Sequence, residues 1–192
     1  MVGNTPNYNK YDILRCFLRL GKNISRKELS NELGLGEGTV RTILEMLKSQ
    51  NLLDSTKKGH FLSKQGYLEW NKISDNLQGP KAINTKLFYP ECQKSALLLR
   101  KSEELKEIYK LRDIAVKNGA EGALILKFQN KLYAPESDYK GDFAELEQYF
   151  EFKNRNVLII AFAQDFKNAE IGALAISVEL SRELRNFIRK FD

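Results

Sequence analysis

The sequence predicts an α+β chain in two parts: residues 1–78, built from short helices and one hairpin, and residues 81–192, a mixture of strands and helices. Three observations predict it. Before residue 50, apolar residues recur at helical spacing in three short stretches. After residue 82, strand-like runs appear at Ile83–Tyr89, Ala96–Arg100, Ala123–Tyr133 and Val157–Ala163, with helical stretches among them. Between the two patterns, Gln78-Gly79-Pro80 punctuates the chain.

The elements follow in order. Asn9–Leu20 carries Tyr11, Ile13, Leu14, Phe17 and Leu18 on one helical face, and Gly21 ends it. Ser25-Arg26-Lys27-Glu28 has the spacing of a capping box, in which the serine hydroxyl takes an amide bond while the glutamate reaches back. That second helix runs to Leu33 and stops at Gly34. A third spans about Glu37–Gln50, with Val40, Ile43, Leu44 and Leu47 inward and Thr39, Arg41, Thr42, Glu45 and Lys48 outward. Leu52–Asp54 and His60–Leu62 flank Ser55–Gly59 as a hairpin with a basic tip. Ser63 caps a fourth helix to about Leu77.

Downstream, the reading is strand Ile83–Tyr89, strand Lys94–Arg100, helix Ser102–Asn118, strands Gly122–Gln129 and Lys131–Ala134, short helix Phe143–Gln148, strand Asn156–Ala163 and helix Asn168–Lys190. The distal turns of that last helix, with Phe187, Ile188 and Phe191, offer a dimer seam. Gly119–Leu124 and Ala169–Leu174 are locally alike; small residues of this kind suit close helix packing or a shared pocket. The acidic group Glu136, Asp138, Asp142, Glu145 and Glu147 lacks the register of a calcium loop. It reads as a solvated loop, long enough to form a lid.

Composition narrows the function classes. The 192 residues are 42% hydrophobic and 29% charged, which suits a folded chain with a core. No run approaches the ~18 apolar residues of a membrane span. The start, Met1–Asn9, lacks the apolar stretch of a signal peptide. The two cysteines make neither a disulfide scaffold nor a zinc site by themselves, and the one histidine rules out any site needing two; neither a metal nor a cofactor is expected. The reading is a reduced, cytoplasmic protein. A net charge of +6 permits an anionic partner, and residues 1–80, with twelve basic and eight acidic side chains, carry most of it. No phosphate loop, dinucleotide fingerprint, H-E-x-x-H or G-x-S-x-G occurs. Cys92 reads as an inert thiol, and an enzyme is not expected.

The order helix, helix, tight turn, helix, two strands brings a family into view. Leu29–Leu44, with Gly36-Glu37-Gly38-Thr39-Val40-Arg41-Thr42, and Asn51-Leu52-Leu53 followed by Gly59–Gly66 resemble winged helix-turn-helix transcription regulators across residues 9–77. The Gly-Glu-Gly-Thr-Val-Arg-Thr run is most similar to archaeal regulators that carry a second, uncharacterised domain. The resemblance implies a winged helix binding double-stranded DNA, with the third helix in the major groove. It implies that Thr39, Arg41 and Thr42 face the bases. Gly36 and Gly38 would let the helix start approach a phosphate, Ser25 and Arg26 would stand beside the backbone, and Lys57, Lys58 and His60 would form the wing contact. It also implies a homodimer, with residues 81–192 dimerising, sensing a small-molecule effector, or both. Glu37 and Glu45, which repel phosphate, motivate the alternative of a winged helix that binds protein in a larger assembly.

Overall fold

The computed structural model describes residues 8–135 and 141–192; Glu136 and Asp138 of the acidic group lie outside them. Two units divide the chain: one takes the residues up to Ile73 together with Asn186–Asp192, the other Ser74–Arg185.

The first unit begins with α1 (Lys10–Arg19), α2 (Arg26–Leu33) and α3 (Glu37–Ser49). Asn9 opens α1 with a capping box closed by Asp12, a signal the sequence reading passed over. Ser25 and Glu28 form the expected box on α2, and Gly34 ends that helix at φ 62°, a left-handed position where glycine carries no side-chain clash. Leu14, Phe17, Leu29, Val40, Ile43 and Leu47 meet in its core. β1 (Leu53–Thr56) and β2 (Gly59–Leu62) then pair antiparallel, with Thr56 opposite Gly59. The turn is therefore only Lys57-Lys58, shorter than expected, because the strands extend into it. Ile24 adds a third short rung, exchanging backbone bonds with His60 at 3.0 and 2.9 Å. α4 (Lys64–Ser74) starts after Ser63, whose hydroxyl accepts from the Gly66 amide at 2.9 Å.

The second unit is a five-stranded antiparallel sheet in the order β3-β4-β7-β5-β6. Its strands are β3 (Leu77–Ala82), β4 (Gln93–Leu99), β5 (Gly122–Gln129), β6 (Lys131–Tyr133) and β7 (Val157–Ala163). β7 lies between β4 and β5 and runs against both, so β4, α5 (Ile108–Lys117) and β5 form a split βαβ unit. α5 and α6 (Phe166–Leu180) pack against each other and on the sheet. Ala96, Leu98, Leu126, Leu158 and Ile160 belong to a second apolar cluster, covered by Phe143, Leu146 and Phe150 around the 3-10 helix Ala144–Tyr149. The fold class is the mixed α+β expected.

Four expected elements moved. The strand placed at Ile83–Tyr89 lies earlier, at Leu77–Ala82, running through the Gly79-Pro80 that looked like a break. Gly79 makes this possible: at φ 102° it sits in a register shift, where a Cβ would press to 2.8 Å from the Ala96 carbonyl oxygen. α5 starts at Ile108 rather than Ser102, because Glu103 is tied to Leu180 and Arg185 instead of joining a helix. The Glu103 amide donates to the Leu180 carbonyl at 2.9 Å, and its carboxylate pairs with Arg185 at 2.8 Å. The last helix is two helices, α6 and α7 (Arg182–Ile188), broken at Ser181. There the backbone turns extended, and the hydroxyl accepts from the Leu184 amide at 3.4 Å. The short helix near residue 144 is a 3-10 helix, one residue later than read.

The expected dimer seam at the chain end is corrected as well. Phe187 and Ile188 are buried in the first unit, with the Phe187 ring 4.5 Å from that of Phe17. The two alike segments serve close packing: a Cβ on Gly172 would stand 2.6 Å from that of Ala120. Within the acidic group, Asp142 caps the Ala144 amide and Glu147 accepts from the Leu132 amide.

Candidate nucleic-acid interface

The sequence places three positive side chains and one histidine on three separate elements, and the first unit brings them to one groove. Arg26 stands at the start of α2, Arg41 and Lys48 share a face of α3 two turns apart, and His60 comes from β2. Together with Glu45 and Ser55, over a floor of Leu44 and Leu53, they line a concavity of about 170 Å³. Lys48 is the residue the sequence reading left out of the site. Its position seven residues after Arg41 on a helix was the available signal, since that spacing returns to the same face.

Acidic neighbours already hold both arginines. Arg26 Nε lies 3.2 Å from a Glu37 oxygen, and Arg41 Nε lies 2.9 Å from Glu45. These are the two glutamates that looked out of place on a DNA-facing helix. The Arg41–Glu45 pair is 69% and 62% exposed, and exposed i,i+4 pairs of this kind contribute only about 0.3–0.5 kcal/mol. A phosphate or a guanine edge can therefore displace the glutamate at small cost.

The start of α3 is open. Gly36 is its N-cap and supplies no side-chain bond, so the first amides keep their capacity for an anion. A Cβ on Gly36 or Gly38 would meet nothing within 4 Å. Neither glycine is required by packing; the bare surface leaves the helix start unobstructed. Thr39 and Thr42 share the same helix, and the Thr42 hydroxyl donates to the Gly38 carbonyl at 3.2 Å. Ser25 is committed to its cap, with the Glu28 amide 3.2 Å from its oxygen. Its hydroxyl bond also holds the Glu28 carboxyl below its ordinary value.

On the wing, Lys57 and Lys58 are exposed at the turn, and the Lys58 amide is tied to the Thr56 hydroxyl at 3.2 Å. His60 Nδ1 lies 2.8 Å from the Ser55 hydroxyl. Burial first, then the charges of Arg26 and Lys48, push the His60 imidazole below its ordinary value, so it is neutral at pH 7. All ten expected residues thus lie on α2, α3, their N-caps or the hairpin, but Arg26, Arg41 and His60 alone of them line the groove.

Comparison with known proteins agrees with this architecture. Residues 11–68 match the family described as PH0730-like, N-terminal domain, and residues 90–180 match a domain of unknown function, DUF4443. The chain matches a winged helix followed by an uncharacterised domain. It is similar over nearly its whole length to the structure of the hypothetical protein PH0730 from Pyrococcus horikoshii OT3, with 27% identity and a TM-score of 0.77, covering 94% of this chain and 99% of that one. A 69-residue stretch is 33% identical to the central glycolytic genes regulator of Bacillus subtilis (strain 168), covering 36% of this chain. The chain spans only 20% of that relative's length. Among the described residues, no helix is long and apolar enough to cross a membrane.

Proposed function

We propose that the chain is a DNA-binding transcription regulator. Its winged helix would lay α3 in the major groove of duplex DNA, and its second unit would dimerise, sense a small molecule, or both. The groove carries this reading: Arg26, Arg41, Lys48 and His60 converge along the middle and last turns of α3, whose start is left without a side-chain cap. Arg41 matches the two acceptors on a guanine edge, and Thr39 and Thr42 suit a thymine methyl or a phosphate. The start of α3 favours a phosphate, and Lys57 and Lys58 would track the backbone from the wing. The name of the Bacillus relative supports a regulatory role at the level of the winged helix alone. The setting would be the cytoplasm, and no catalytic step is required.

The test is binding to labelled genomic fragments, the chain's own upstream region included, at two salt concentrations. Selective binding that falls with salt is expected, because neutralising phosphates releases counterions. Arg41→Ala is expected to cost about 1–3 kcal/mol and to relax selectivity at one position. Lys57→Ala with Lys58→Ala is expected to weaken all sequences alike and flatten the salt dependence.

The second reading is a protein-binding winged helix, favoured by the Arg26–Glu37 and Arg41–Glu45 pairs that offset the two arginines of the groove. A folded protein that binds no fragment at low salt would support it.

A further inference from the structure

The second unit holds a cavity of about 420 Å³ that the groove argument leaves unused. That volume is within the roughly 300–1,000 Å³ of small-molecule sites. Most of its wall is apolar: Phe88, Leu124, Phe143 and Phe162 line it, with the Tyr89 ring stacked on Phe162 at 4.3 Å. Leu87 and Tyr89 are about half exposed at the same cavity, although both are large apolar side chains.

Three charged groups stand in this wall: Arg112 from α5, Glu121 before β5 and Asp142 before the 3-10 helix. The Nε of Arg112 is enclosed and has no acceptor among the described residues. A buried donor without a partner calls for one, and a guanidinium matches a carboxylate in shape and charge. Glu121 accepts the Cys92 S–H at 3.2 Å through one oxygen, and Asp142 takes the Ala144 amide at 2.9 Å through one. Each carboxylate has a second oxygen to offer.

Charge complementarity selects the ligand. A simple anion would satisfy Arg112 and face two carboxylates. A simple cation would satisfy the carboxylates and leave Arg112 as it is. We propose that the cavity binds a zwitterion with an apolar body, an α-amino acid bearing a large apolar side chain. Its carboxylate meets Arg112, its ammonium lies toward Glu121 and Asp142, and its side chain fills the aromatic wall. As an effector site this rests on the regulator reading; as a binding site it stands on the cavity.

The probe is L-phenylalanine, titrated calorimetrically into the full chain without DNA. 3-Phenylpropionate, which lacks the ammonium, and 2-phenylethylamine, which lacks the carboxylate, are the comparisons. The expected result is binding of phenylalanine with each comparison at least tenfold weaker. Arg112→Gln is expected to bring phenylalanine and phenylethylamine level. Val116→Trp, on an exposed cavity residue, is expected to block binding with the thermal unfolding midpoint unchanged. No binding by the folded protein, or equal binding of all three probes, overturns the proposal. A separate DNA titration with and without phenylalanine keeps the two readings apart. Phenylalanine binding by a chain that binds no DNA upholds the site and sinks the regulator; DNA binding without phenylalanine binding does the reverse.

Discussion

Asp12 and Arg15 are buried charged residues of the first unit, and neither lines the groove. Their side chains are 2% and 1% exposed and 2.8 Å apart, and Arg15 Nη2 also donates to the Leu33 carbonyl at 3.0 Å. The pair therefore ties α1 to the end of α2. Asp12→Ala removes the carboxylate that pairs with this buried guanidinium, and a loss of about 3–5 kcal/mol in urea unfolding is expected. A loss under about 1 kcal/mol, within the range of exposed pairs, would show that other groups satisfy Arg15. His60 makes a prediction in pH. Its value is depressed in the fold, so the unfolded chain binds the proton more tightly. Its contribution to stability is complete above the ordinary value of 6.5 and is lost as pH falls through the folded value. Titration of the free protein by NMR should place His60 below 6.5. On DNA a nearby phosphate should raise it, so affinity should increase as pH falls, and His60→Gln should flatten that increase. A His60 value unmoved by DNA would remove it from the interface.

Elements whose signals are local were legible in the sequence. The capping box at Ser25, the stop at Gly34 and the hairpin around Lys57-Lys58 depend on residues within a turn of each other. The α5 start was not, because Ser102-Glu103-Glu104 has the look of a cap while Glu103 is held by Leu180 and Arg185, far along the chain. β3 was hidden for a related reason: Gly-Pro reads as a break unless its neighbouring strand is known. The site divides the same way. Arg41 follows from helix spacing, whereas its pairing with Glu45 and the arrival of His60 beside Lys48 need the folded unit. Gly66 shows what such hidden contacts enforce. It lies inside α4, where a Cβ would collide with the Leu52 carbonyl oxygen. That oxygen also accepts the Ser63 amide at 3.2 Å, at the junction of the hairpin and α4. Gly66→Ala would raise helix propensity by about 1 kcal/mol on an exposed surface. Here backbone must move instead, and a net loss of about 1–3 kcal/mol by chemical denaturation is expected. A stabilised variant would mean that α4 can shift away from Leu52 freely.

At the scale of the whole molecule, the first unit is not continuous in sequence. Asn186–Asp192 belong to it, and Phe187 is fully buried, its ring 4.5 Å from Phe17 and 5.2 Å from Phe191. Lys190 adds an ion pair to Glu69 of α4 at 3.1 Å. A reading by sequence order ends the winged helix near residue 78 and assigns these residues elsewhere, because nothing local marks a return. The consequence is a dependence of the first unit on residues 186–192. Phe187→Ala should cost about 3–5 kcal/mol, the range for deleting a buried aromatic ring. A chain cut after Arg185 loses the same contact and the Lys190 pair. Hydrogen exchange is the measurement that resolves where the loss falls. In the cut chain, amides of α1 and α4 should lose protection while those of β4 and β7 keep theirs. Unchanged protection in α1 would mean that the helices of the first unit close over Phe17 without the chain end. Equal loss in α1 and β7 would mean that the two units unfold as one cooperative body, and that the chain end stabilises both.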